Sequence, residues 1–403
     1  MLDDESFQIK LVVNYHFDGD KSNYTGPNLH PVWLTLKFAP HARISDVSNY
    51  FVKDNKIVYF EDNSFNVIPF SYRNLIKFEK EVRNTINELK PKNYIRILRL
   101  RLLYLMLYPF MRNKKIYLFM DRIDVADDNG EHLFKYAVYR KDDIKKYFVL
   151  SQDSKDYSRI SKIGTIIKYN SLKHKLLYLF ADKVISSHPD ERILNPFFSY
   201  DGKIDERKYF NSLLTSGTYF LQHGVKKDDF SNWLKKYDKN LNLLLTVSDL
   251  EKQSFLEEGY NYDEDVVQVL GLPRHDNLKN NPNKKILIIP TWRSYLEGNR
   301  DLFKNSEYYN SINNLLNDKK LISLCEENGY EIIFKAHPKL HDEISEEDTD
   351  KYIDLFDFND HIKISTEESY NELFEISSIL ITDYSSVFFD FAYLKLVYHS
   401  LTF

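Results

Sequence analysis

The sequence YFLQHG at Tyr219–Gly224 contains the pattern that decides the fold: an apolar run of strand length followed at once by polar residues. The pattern recurs in FKAHP at Phe334–Pro338 and in ITDYSS at Ile381–Ser386. In an open parallel sheet, the carboxyl ends of the strands share one edge, and ligands bind in the crevice there. Two histidines and an Asp/Ser cluster at such an edge predict a site that handles phosphate groups.

Outward from these segments, apolar runs alternate with segments of helical pattern from residue 116 onward. This alternation predicts an α/β fold in which helices cover parallel sheets, and nine strands favour two sheets over one. We place the division between the sheets near residues 250–265. The predicted strands are Lys115–Met120, Tyr147–Leu150, Lys183–Ser186, Tyr219–Leu221, Leu243–Val247, Val266–Leu270, Lys285–Ile289, Glu331–Phe334 and Ser378–Ile381.

The first 75 residues have a different pattern. Three β-rich runs, Gln8–Val13, Val32–Leu36 and Lys56–Phe60, are separated by Asn, Asp, Gly and Pro, and they predict a small β-rich accessory region at residues 1–75. A helix with charged faces is expected at residues 73–93.

Residues 94–115 carry six basic side chains and no acidic one beside Leu, Tyr and Met. Such a segment suits an amphipathic helix that lies on an anionic membrane surface. The alternative is a buried helix whose arginines extend their charged ends to the surface.

The composition narrows the class of protein. The 403 residues are enough for two or three domains, and 43% hydrophobic residues are enough for sizeable cores. The net charge of −5 lacks the basic field of nucleic-acid-binding proteins, so no nucleic-acid partner is expected. Cys325 is the single cysteine, which excludes an intrachain disulfide and is typical of a reducing compartment.

Common cofactor and nucleotide motifs are missing from the sequence. It has no GxGxxG fingerprint, no P-loop and no GxSxG elbow. It also has no CxxC or HExxH pattern, so we expect neither a metal site nor a cofactor. No uncharged apolar run reaches the length of a transmembrane helix, and the acidic start Met1–Glu5 shows no signal-peptide pattern.

Ser385 and Ser386 follow a predicted strand and precede an apolar helical segment. Free N–H groups and a partial positive charge at a helix start favour phosphate, and serine hydroxyls there can bind phosphate oxygens. The alternative is that the serines only cap the helix. The neighbouring Asp383 and the other strand-end motifs favour the phosphate site.

Two histidines at strand ends are candidates for the chemistry. His223 precedes Gly224, and an exposed histidine there could be a general base for a hydroxyl, because its ordinary pKa of about 6.5 suits physiological pH. Asp228 and Asp229 follow and could assist. His337 comes after Lys335 and could donate a hydrogen bond to a leaving phosphate. For each histidine the alternative is a purely structural role.

Arg274 and Arg293 follow two further predicted strands and would approach the same edge. Guanidinium groups match the geometry of phosphate oxygens, and a diphosphate needs such positive charge where the protein holds no metal. The alternative is that both arginines form surface ion pairs.

In combination these motifs resemble the CDP-glycerol glycerophosphotransferases, the family of teichoic acid primases and polymerases and related capsule enzymes. The resemblance covers roughly residue 70 to the end, and each motif is weak alone while six in order are specific. The matching segments are Asp121–Leu133, Gln222–Gly224, Gly271–Asp276, Pro290–Arg293, Lys335–Pro338 and Thr382–Ser386.

The resemblance implies a GT-B architecture, in which two Rossmann-like domains face each other across a cleft. We accordingly expect an acceptor-side domain at residues 76–258 and a donor domain, which binds CDP, at residues 259–403. The family has a Lys-Pro-led strand and further helices after the segment at 388–393, whereas this sequence lacks the proline and stops at Phe403. The donor domain is therefore expected to be truncated.

The resemblance also implies the reaction and its location: transfer of a polyol phosphate from CDP-glycerol, or a similar CDP-polyol, to a lipid-linked polymer. This would take place at the cytoplasmic side of a bacterial cell membrane, to which the enzyme attaches peripherally. The implied site residues are catalytic His223 and His337; donor-binding Arg274, Thr291, Arg293, Lys335, Thr382, Asp383, Ser385 and Ser386; and, on the acceptor side, Asp121, Arg122, Asp228 and Asp229.

Two other functions fit the same sequence. One is a GT-B glycosyltransferase that uses a nucleotide sugar in the synthesis of cell-surface polysaccharide. The other is an inactive, truncated scaffold that binds membrane or polymer without turnover. Release of CMP from CDP-glycerol, but not from nucleotide sugars, would distinguish the first hypothesis from both.

Overall fold

The computed structural model describes residues 47–400 apart from 54, 62–63, 200–201, 227, 240, 258, 346–347 and 395–396. The predicted strands Gln8–Val13 and Val32–Leu36 lie outside the described residues. The third predicted strand is confirmed: β1 (Tyr50–Lys53), β2 (Lys56–Glu61) and β3 (Ser64–Pro69) form an antiparallel sheet in the order β1-β2-β3.

Two helices of 18 residues follow, α1 (Tyr72–Leu89) and α2 (Tyr94–Met111). The hydroxyl of Ser71 caps α1 by accepting from the Asn74 N–H at 3.1 Å. The helix buries Leu75, Phe78, Val82 and Ile86, which recur at the spacing of one helical face. It ends where Lys90 takes up a left-handed backbone just before Pro91.

There are two predictions for residues 94–115: a helix on a membrane surface and a buried helix. Neither describes the whole of helix α2. Arg101 is 3% exposed and pairs with the buried Glu79, its Nε lying 2.9 Å from Oε2, and Arg96 pairs with Glu206. Apolar side chains on another face are exposed, including Phe110 at 72%. Charge alone could not separate these faces, because arginines lie on both. In the described part of the chain, no helix is both long and apolar enough to cross a membrane.

The first parallel sheet has seven strands in the order β10-β9-β8-β7-β4-β5-β6. After β4 the chain adds β5 and β6 on one side of β4, and it then adds β7 on the other side of β4. The carboxyl ends of β4 and β7 therefore flank a switch point, where α/β proteins bind ligands. The strands are β4 (Ile116–Met120), β5 (Lys145–Leu150), β6 (Ile166–Lys168), β7 (Lys183–Ser186), β8 (Gly217–Phe220), β9 (Leu241–Thr246) and β10 (Val267–Val269). The helices between them are α3 (Asn129–Tyr139), α4 (Tyr157–Ser161), α5 (Leu172–Phe180), α6 (Glu191–Leu194), α7 (Lys236–Lys239) and α8 (Asp249–Leu256).

The second parallel sheet has five strands in the order β13-β12-β11-β14-β15, with its switch point between β11 and β14. Its central strands are buried, as their apolar runs predict. The strands are β11 (Lys285–Ile289), β12 (Glu331–Lys335), β13 (Ile362–Ser365), β14 (Ile379–Thr382) and β15 (Val397–Ser400). The helices are α9 (Arg300–Lys304), α10 (Glu307–Leu316), α11 (Lys319–Asn328), α12 (Tyr370–Ile376) and α13 (Val387–Tyr393).

These two sheets confirm the predicted α/β fold with parallel strands. Strand β10 lies beyond the predicted domain boundary at 258/259, yet it pairs with β9 in the first sheet. The sheets therefore divide between Val269 and Lys285, and the division into domains remains a proposal.

Candidate active site

Polar residues follow three neighbouring strands of the first sheet at their carboxyl ends. Arg122 comes after β4, His188 after β7 and His223 after β8. His188 and His223 stack, with 4.8 Å between ring centroids and 13° between ring planes. The Nε of Arg122 donates to the Nε2 of His188 at 3.3 Å. A cation and two imidazoles are thus assembled beside the switch point of this sheet.

The backbone at Gln222 sets the direction of His223. Gln222 is buried with a φ of +60°, a left-handed conformation that costs a residue other than glycine of the order of 1 kcal/mol. Its side-chain amide donates to the Leu245 carbonyl at 2.5 Å and to Glu251 at 3.0 Å, while its carbonyl accepts from the amide of Asn129 at 2.7 Å. These bonds hold the turn and therefore hold His223.

The hydrogen bond of His223 assigns its tautomer. The Nδ1 lies 3.4 Å from the carbonyl oxygen of Ser187, and because a carbonyl only accepts, Nδ1 carries the proton. The Nε2 lone pair is then available to take a proton. Part of the His223 side chain is exposed, but the surrounding protein removes much of the water around the ring. This desolvation, together with the charges of Arg122 and Arg274, lowers the pKa of His223 below its ordinary value. The histidine is consequently neutral at physiological pH.

Asp121, predicted on the acceptor side, has contacts of a different kind. It is buried, and its carboxylate accepts the N–H groups of Gly130 at 2.8 Å, Glu131 at 3.1 Å and Asp128 at 3.2 Å at the start of α3. Burial, and then the charge of Asp128, raises the pKa of Asp121 to about 7. Both oxygens are engaged, so the carboxylate caps α3 and thereby positions this end of the sheet.

Asp228 and Asp229 are exposed in the loop after β8. Asp229 accepts the N–H of Ser231 at 2.8 Å. In the described residues, no hydrogen bond or ion pair joins either carboxylate to His223. Their predicted part on the acceptor side remains a proposal.

At the switch point of the second sheet, Asp383 joins the ends of β11 and β14. One carboxylate oxygen accepts from the N–H and the hydroxyl of Thr291, at 3.0 and 2.6 Å, and the other accepts from Arg293 at 2.7 Å. The hydroxyl of Thr382 donates to the Ile289 carbonyl at 2.6 Å. Three predicted donor-binding residues, Thr291, Thr382 and Asp383, thus form a brace in which Thr382 and Asp383 are buried. Arg293, held by Asp383, lies beside Tyr384, with 5.3 Å between its guanidinium carbon and the ring centroid.

His337 has the opposite hydrogen-bond polarity to His223. Its Nδ1 accepts the N–H of Lys339 at 3.2 Å, so in the neutral ring the proton is on Nε2, which is a donor. Burial, followed by the charges of Arg122 and Lys339, lowers the pKa of His337. The nearby Lys335 donates to the Glu368 carbonyl at 2.8 Å and is half-buried.

Gly224 and Ser386 bring the two sheets into contact. A Cβ at residue 224 would lie 2.6 Å from the hydroxyl oxygen of Ser386 and 3.2 Å from its Cβ, so a larger residue there would require Ser386 to move. The hydroxyl of Ser386 makes no capping hydrogen bond to α13, whereas the Ser385 oxygen accepts the Val387 N–H at a long 3.4 Å. The hydroxyl of Ser386 therefore lies at the junction beside the His223 turn.

Arg274 also bridges the two sheets, and it does so through its whole guanidinium group. It donates to Asp128 and to the His223 carbonyl on the first sheet, both at 2.9 Å, and to Asp390 of α13 on the second at 2.9 to 3.2 Å. His275 contacts the same Asp390 at 2.6 Å. All three guanidinium nitrogens are thereby engaged, so in this structure Arg274 holds the His223 carbonyl and joins the two sheets.

His188 is the site residue that sequence reasoning missed. The signal was present: Ser187-His188-Pro189 follows β7 as Ala336-His337-Pro338 follows β12. Among the described residues, no group of three or more His, Cys, Asp and Glu side chains could hold a metal ion. What the crevice offers is a proton acceptor, an N–H donor, hydroxyls and guanidinium groups, which is a set suited to moving a phosphate ester.

Comparison with known proteins agrees with this chemistry. Residues 102–397 match the family described as CDP-Glycerol:Poly(glycerophosphate) glycerophosphotransferase. The minor teichoic acid biosynthesis protein GgaB of Bacillus subtilis (strain 168) is 37% identical over 380 residues, which cover 89% of this chain and 40% of GgaB. The teichoic acid poly(glycerol phosphate) polymerase of Bacillus spizizenii (strain ATCC 23059 / NRRL B-14472 / W23) is 34% identical over 154 residues, or 36% of this chain and 34% of that protein. The chain thus spans less than half the length of these two relatives.

A solved structure shares the architecture. The wall teichoic acid polymerase TagF superposes with a TM-score of 0.50 and 19% identity, covering 82% of this chain and 79% of that one. At this identity the likeness concerns the fold alone, and it confirms the predicted GT-B-type arrangement.

Proposed function

We propose that this chain, which belongs to the CDP-glycerol:poly(glycerophosphate) glycerophosphotransferase family, transfers glycerol phosphate or a related polyol phosphate from a CDP-activated donor to a hydroxyl of a lipid-linked teichoic acid or capsule polymer. The observation that carries the proposal is the opposite hydrogen-bond polarity of two histidines at facing strand ends. His223 presents a lone pair and His337 presents an N–H group.

The transfer step uses both polarities. The Nε2 of His223 takes the proton of the acceptor hydroxyl as its oxygen attacks the β-phosphorus of the donor. A new oxygen–phosphorus bond forms, and the bond from the β-phosphorus to the bridging oxygen breaks, so that CMP leaves with the bridging oxygen. The Nε2–H of His337 donates to the phosphate oxygens on which negative charge develops.

The donor's phosphates would lie at the second switch point. Arg293 is held there by Asp383, Lys335 ends β12, and the hydroxyls of Ser385 and Ser386 border the crevice. Guanidinium and ammonium groups offset the charge of a diphosphate, and the brace fixes Arg293 before the donor arrives. Thr291, Thr382 and Asp383 support this site from within the sheet, and on the first sheet Asp121 and Arg274 do the same for His223.

The test is donor-dependent release of CMP. Purified protein is supplied with CDP-glycerol, CDP-ribitol or a nucleotide sugar, each with and without a lipid-linked acceptor analogue. We expect CMP only from a CDP-polyol and only with acceptor. Turnover of a nucleotide sugar would instead support the glycosyltransferase alternative, and binding without turnover would support a scaffold.

The acceptor's lipid would bring the protein to the cytoplasmic side of the cell membrane as a peripheral protein. The exposed face of α2 supports this location, because Ile95, Leu102, Met106 and Phe110 recur there at helical spacing with the exposed Arg99 among them. Two grooves of about 460 and 410 Å³ run beside α2 and α5 and share Leu172 in their walls. Apolar side chains flanked by basic groups suit an anionic lipid surface.

A further inference from the structure

The cation at the first switch point has no role in the transfer step described above. Arg122 is the second residue after β4, and its Nε–H is bonded to the ring of His188. In the described parts of the chain, no carboxylate forms an ion pair with it, and its side chain is exposed in the crevice. By contrast, Arg274 is bonded to Asp128 and Asp390, and Arg159 to Glu131 and Asp156. Arg122 therefore keeps its two terminal NH₂ groups for a ligand.

A ligand bound to Arg122 would lie near the reacting groups. Through His188 it is joined to the stacked ring of His223 on its own sheet. Its charge also acts on His337 and Tyr370, which belong to the second sheet. A guanidinium between the proton acceptor of one sheet and the N–H donor of the other lies where a phosphoryl group would pass.

His188 itself is suited to hold Arg122, not to react. Its Nε2 is occupied as an acceptor, and one of its faces lies against His223. Burial, followed by the charges of His223 and Arg122, lowers the pKa of His188 to about 3, so the ring stays neutral and does not repel the guanidinium. It is a positioning residue between the cation and the general base.

We infer that Arg122 binds the β-phosphoryl group of the nucleoside diphosphate donor and that His188 positions Arg122 for that contact. The inference rests on the proposed function and deepens it, since it moves Arg122 from the acceptor side to the group that is transferred. Two parallel N–H groups match two phosphate oxygens, and such charge-assisted pairs are among the strongest hydrogen bonds in proteins.

Calorimetric titration with CDP and with CMP tests the first half of the inference, because CMP lacks the β-phosphate. We expect Arg122→Gln to weaken CDP binding by about 10- to 100-fold and to leave CMP binding unchanged. Arg122→Lys keeps the charge without the planar fork, and its affinity for CDP should lie between the two. Arg140→Gln is the matched control, because Arg140 is also exposed, in the same sheet region, and bonded to a single ring residue, Tyr136.

The outcomes separate the two levels of the proposal. Equal CDP affinity in Arg122→Gln and Arg140→Gln would overturn the inference and leave the proposed function standing. A wild-type protein that binds neither CDP nor CDP-glycerol would remove both. Unchanged CMP affinity shows in each variant that the second sheet is intact.

Variants of His188 test the second half. His188→Gln retains an acceptor oxygen for Arg122 and should keep most of the CDP affinity. His188→Phe retains the stacking on His223 but has no acceptor, and it should weaken CDP binding several-fold without changing CMP binding. Equal CDP affinities in the two variants would mean that His188 only packs against His223.

Discussion

At the scale of single residues, the two histidines differ in which nitrogen their neighbours occupy. The Ser187 carbonyl accepts from His223, whereas the Lys339 N–H donates to His337. The position of a single ring proton, on Nδ1 in His223 and on Nε2 in His337, therefore separates a proton acceptor from a hydrogen-bond donor. In the proposed transfer step neutral rings perform both tasks, and desolvation together with nearby arginine or lysine charge favours the neutral rings by lowering each pKa.

Replacement of the proposed general base, His223, gives the first prediction. His223→Ala should lower the rate of CMP release by about 10²- to 10⁴-fold, because proton removal from the acceptor is lost. Its thermal unfolding should match the wild type, since the Gln222 turn keeps its own hydrogen bonds. Turnover near that of the wild type would remove His223 from the mechanism.

The pH dependence gives the second prediction. His223 acts as a base only when deprotonated, so activity should rise with pH through its pKa and then level off. Because desolvation, Arg122 and Arg274 lower that pKa, the midpoint of the rise in kcat/KM should lie below about 6.5, the ordinary value for histidine. A midpoint above that value would contradict the assignment. The acidic limb should disappear in any residual activity of His223→Ala.

At the scale of elements, α2 has two roles on two faces. Its inner face carries Arg101, which is bonded to Glu79 of α1, to the Tyr209 carbonyl and to the Ser212 hydroxyl. Its outer face carries exposed apolar residues and Arg99. The same residue type thus fastens the helix to the protein on one side and remains available to a partner on the other.

The inner face gives a stability prediction. Arg101→Gln leaves Glu79 as a buried carboxylate without its cation, and breaking such a pair typically costs about 3 to 5 kcal/mol of unfolding free energy. Arg99→Gln, two positions away on the exposed face, should change stability by no more than about 0.5 kcal/mol. Urea unfolding of both variants is the measurement, and equal midpoints would show that the buried pair adds no stability.

The outer face gives a prediction on membrane binding. At about 1 kcal/mol for each basic residue near an anionic surface, Arg99→Gln should weaken sedimentation with anionic vesicles about five-fold. Phe110→Asp should weaken it further, and binding should fall as salt rises. Arg83→Gln, which removes an exposed arginine of α1, serves as the control. If the Arg99 and Phe110 variants bind vesicles as the wild type does, the membrane contact lies elsewhere.

At the scale of the whole molecule, Arg274 and Asp390 join two sheets whose facing edges form the crevice. The segment between β10 and β11 passes through this contact, and His275 adds a second bond to Asp390. Because Arg274 also holds the His223 carbonyl, the relation between the sheets and the direction of the base are set by one side chain. Reaction geometry should therefore depend on this residue even though it lies outside the transfer step.

Arg274→Lys tests that dependence. Lysine keeps the charge but cannot reach Asp128, Asp390 and the His223 carbonyl together, and a displacement of about 1 Å can cost 10²-fold in rate. We expect turnover to fall by about that factor with little change in CMP affinity. Arg300→Lys, which alters an arginine bonded to Asp348 and Asp350 within the second sheet region, should leave turnover unchanged. A similar loss of turnover in both variants would show that Arg274 does not set the reaction geometry.

Local sequence patterns were enough to predict the strands, the helices and the type of chemistry. Apolar runs such as Lys285–Ile289 form buried parallel strands because every side chain in them gains from burial on both faces of the sheet. The polar residues after those runs lie at the carboxyl ends of the strands, because the strand ends where the apolar run ends. The places of His223, His337 and the Asp383–Ser386 cluster after strands were therefore readable from local pattern, and so was the family.

The contacts of each polar group became visible only in the folded protein. Asp121 caps a helix, Arg274 joins two sheets and Arg101 is buried, although each is a charged residue in a plausible surface segment. The tautomer of His223 depends on a carbonyl 36 residues earlier, and the stack with His188 depends on the neighbouring places of β7 and β8. Hydrogen bonds and burial are properties of groups brought together from distant parts of the chain, and no local pattern records which groups will meet.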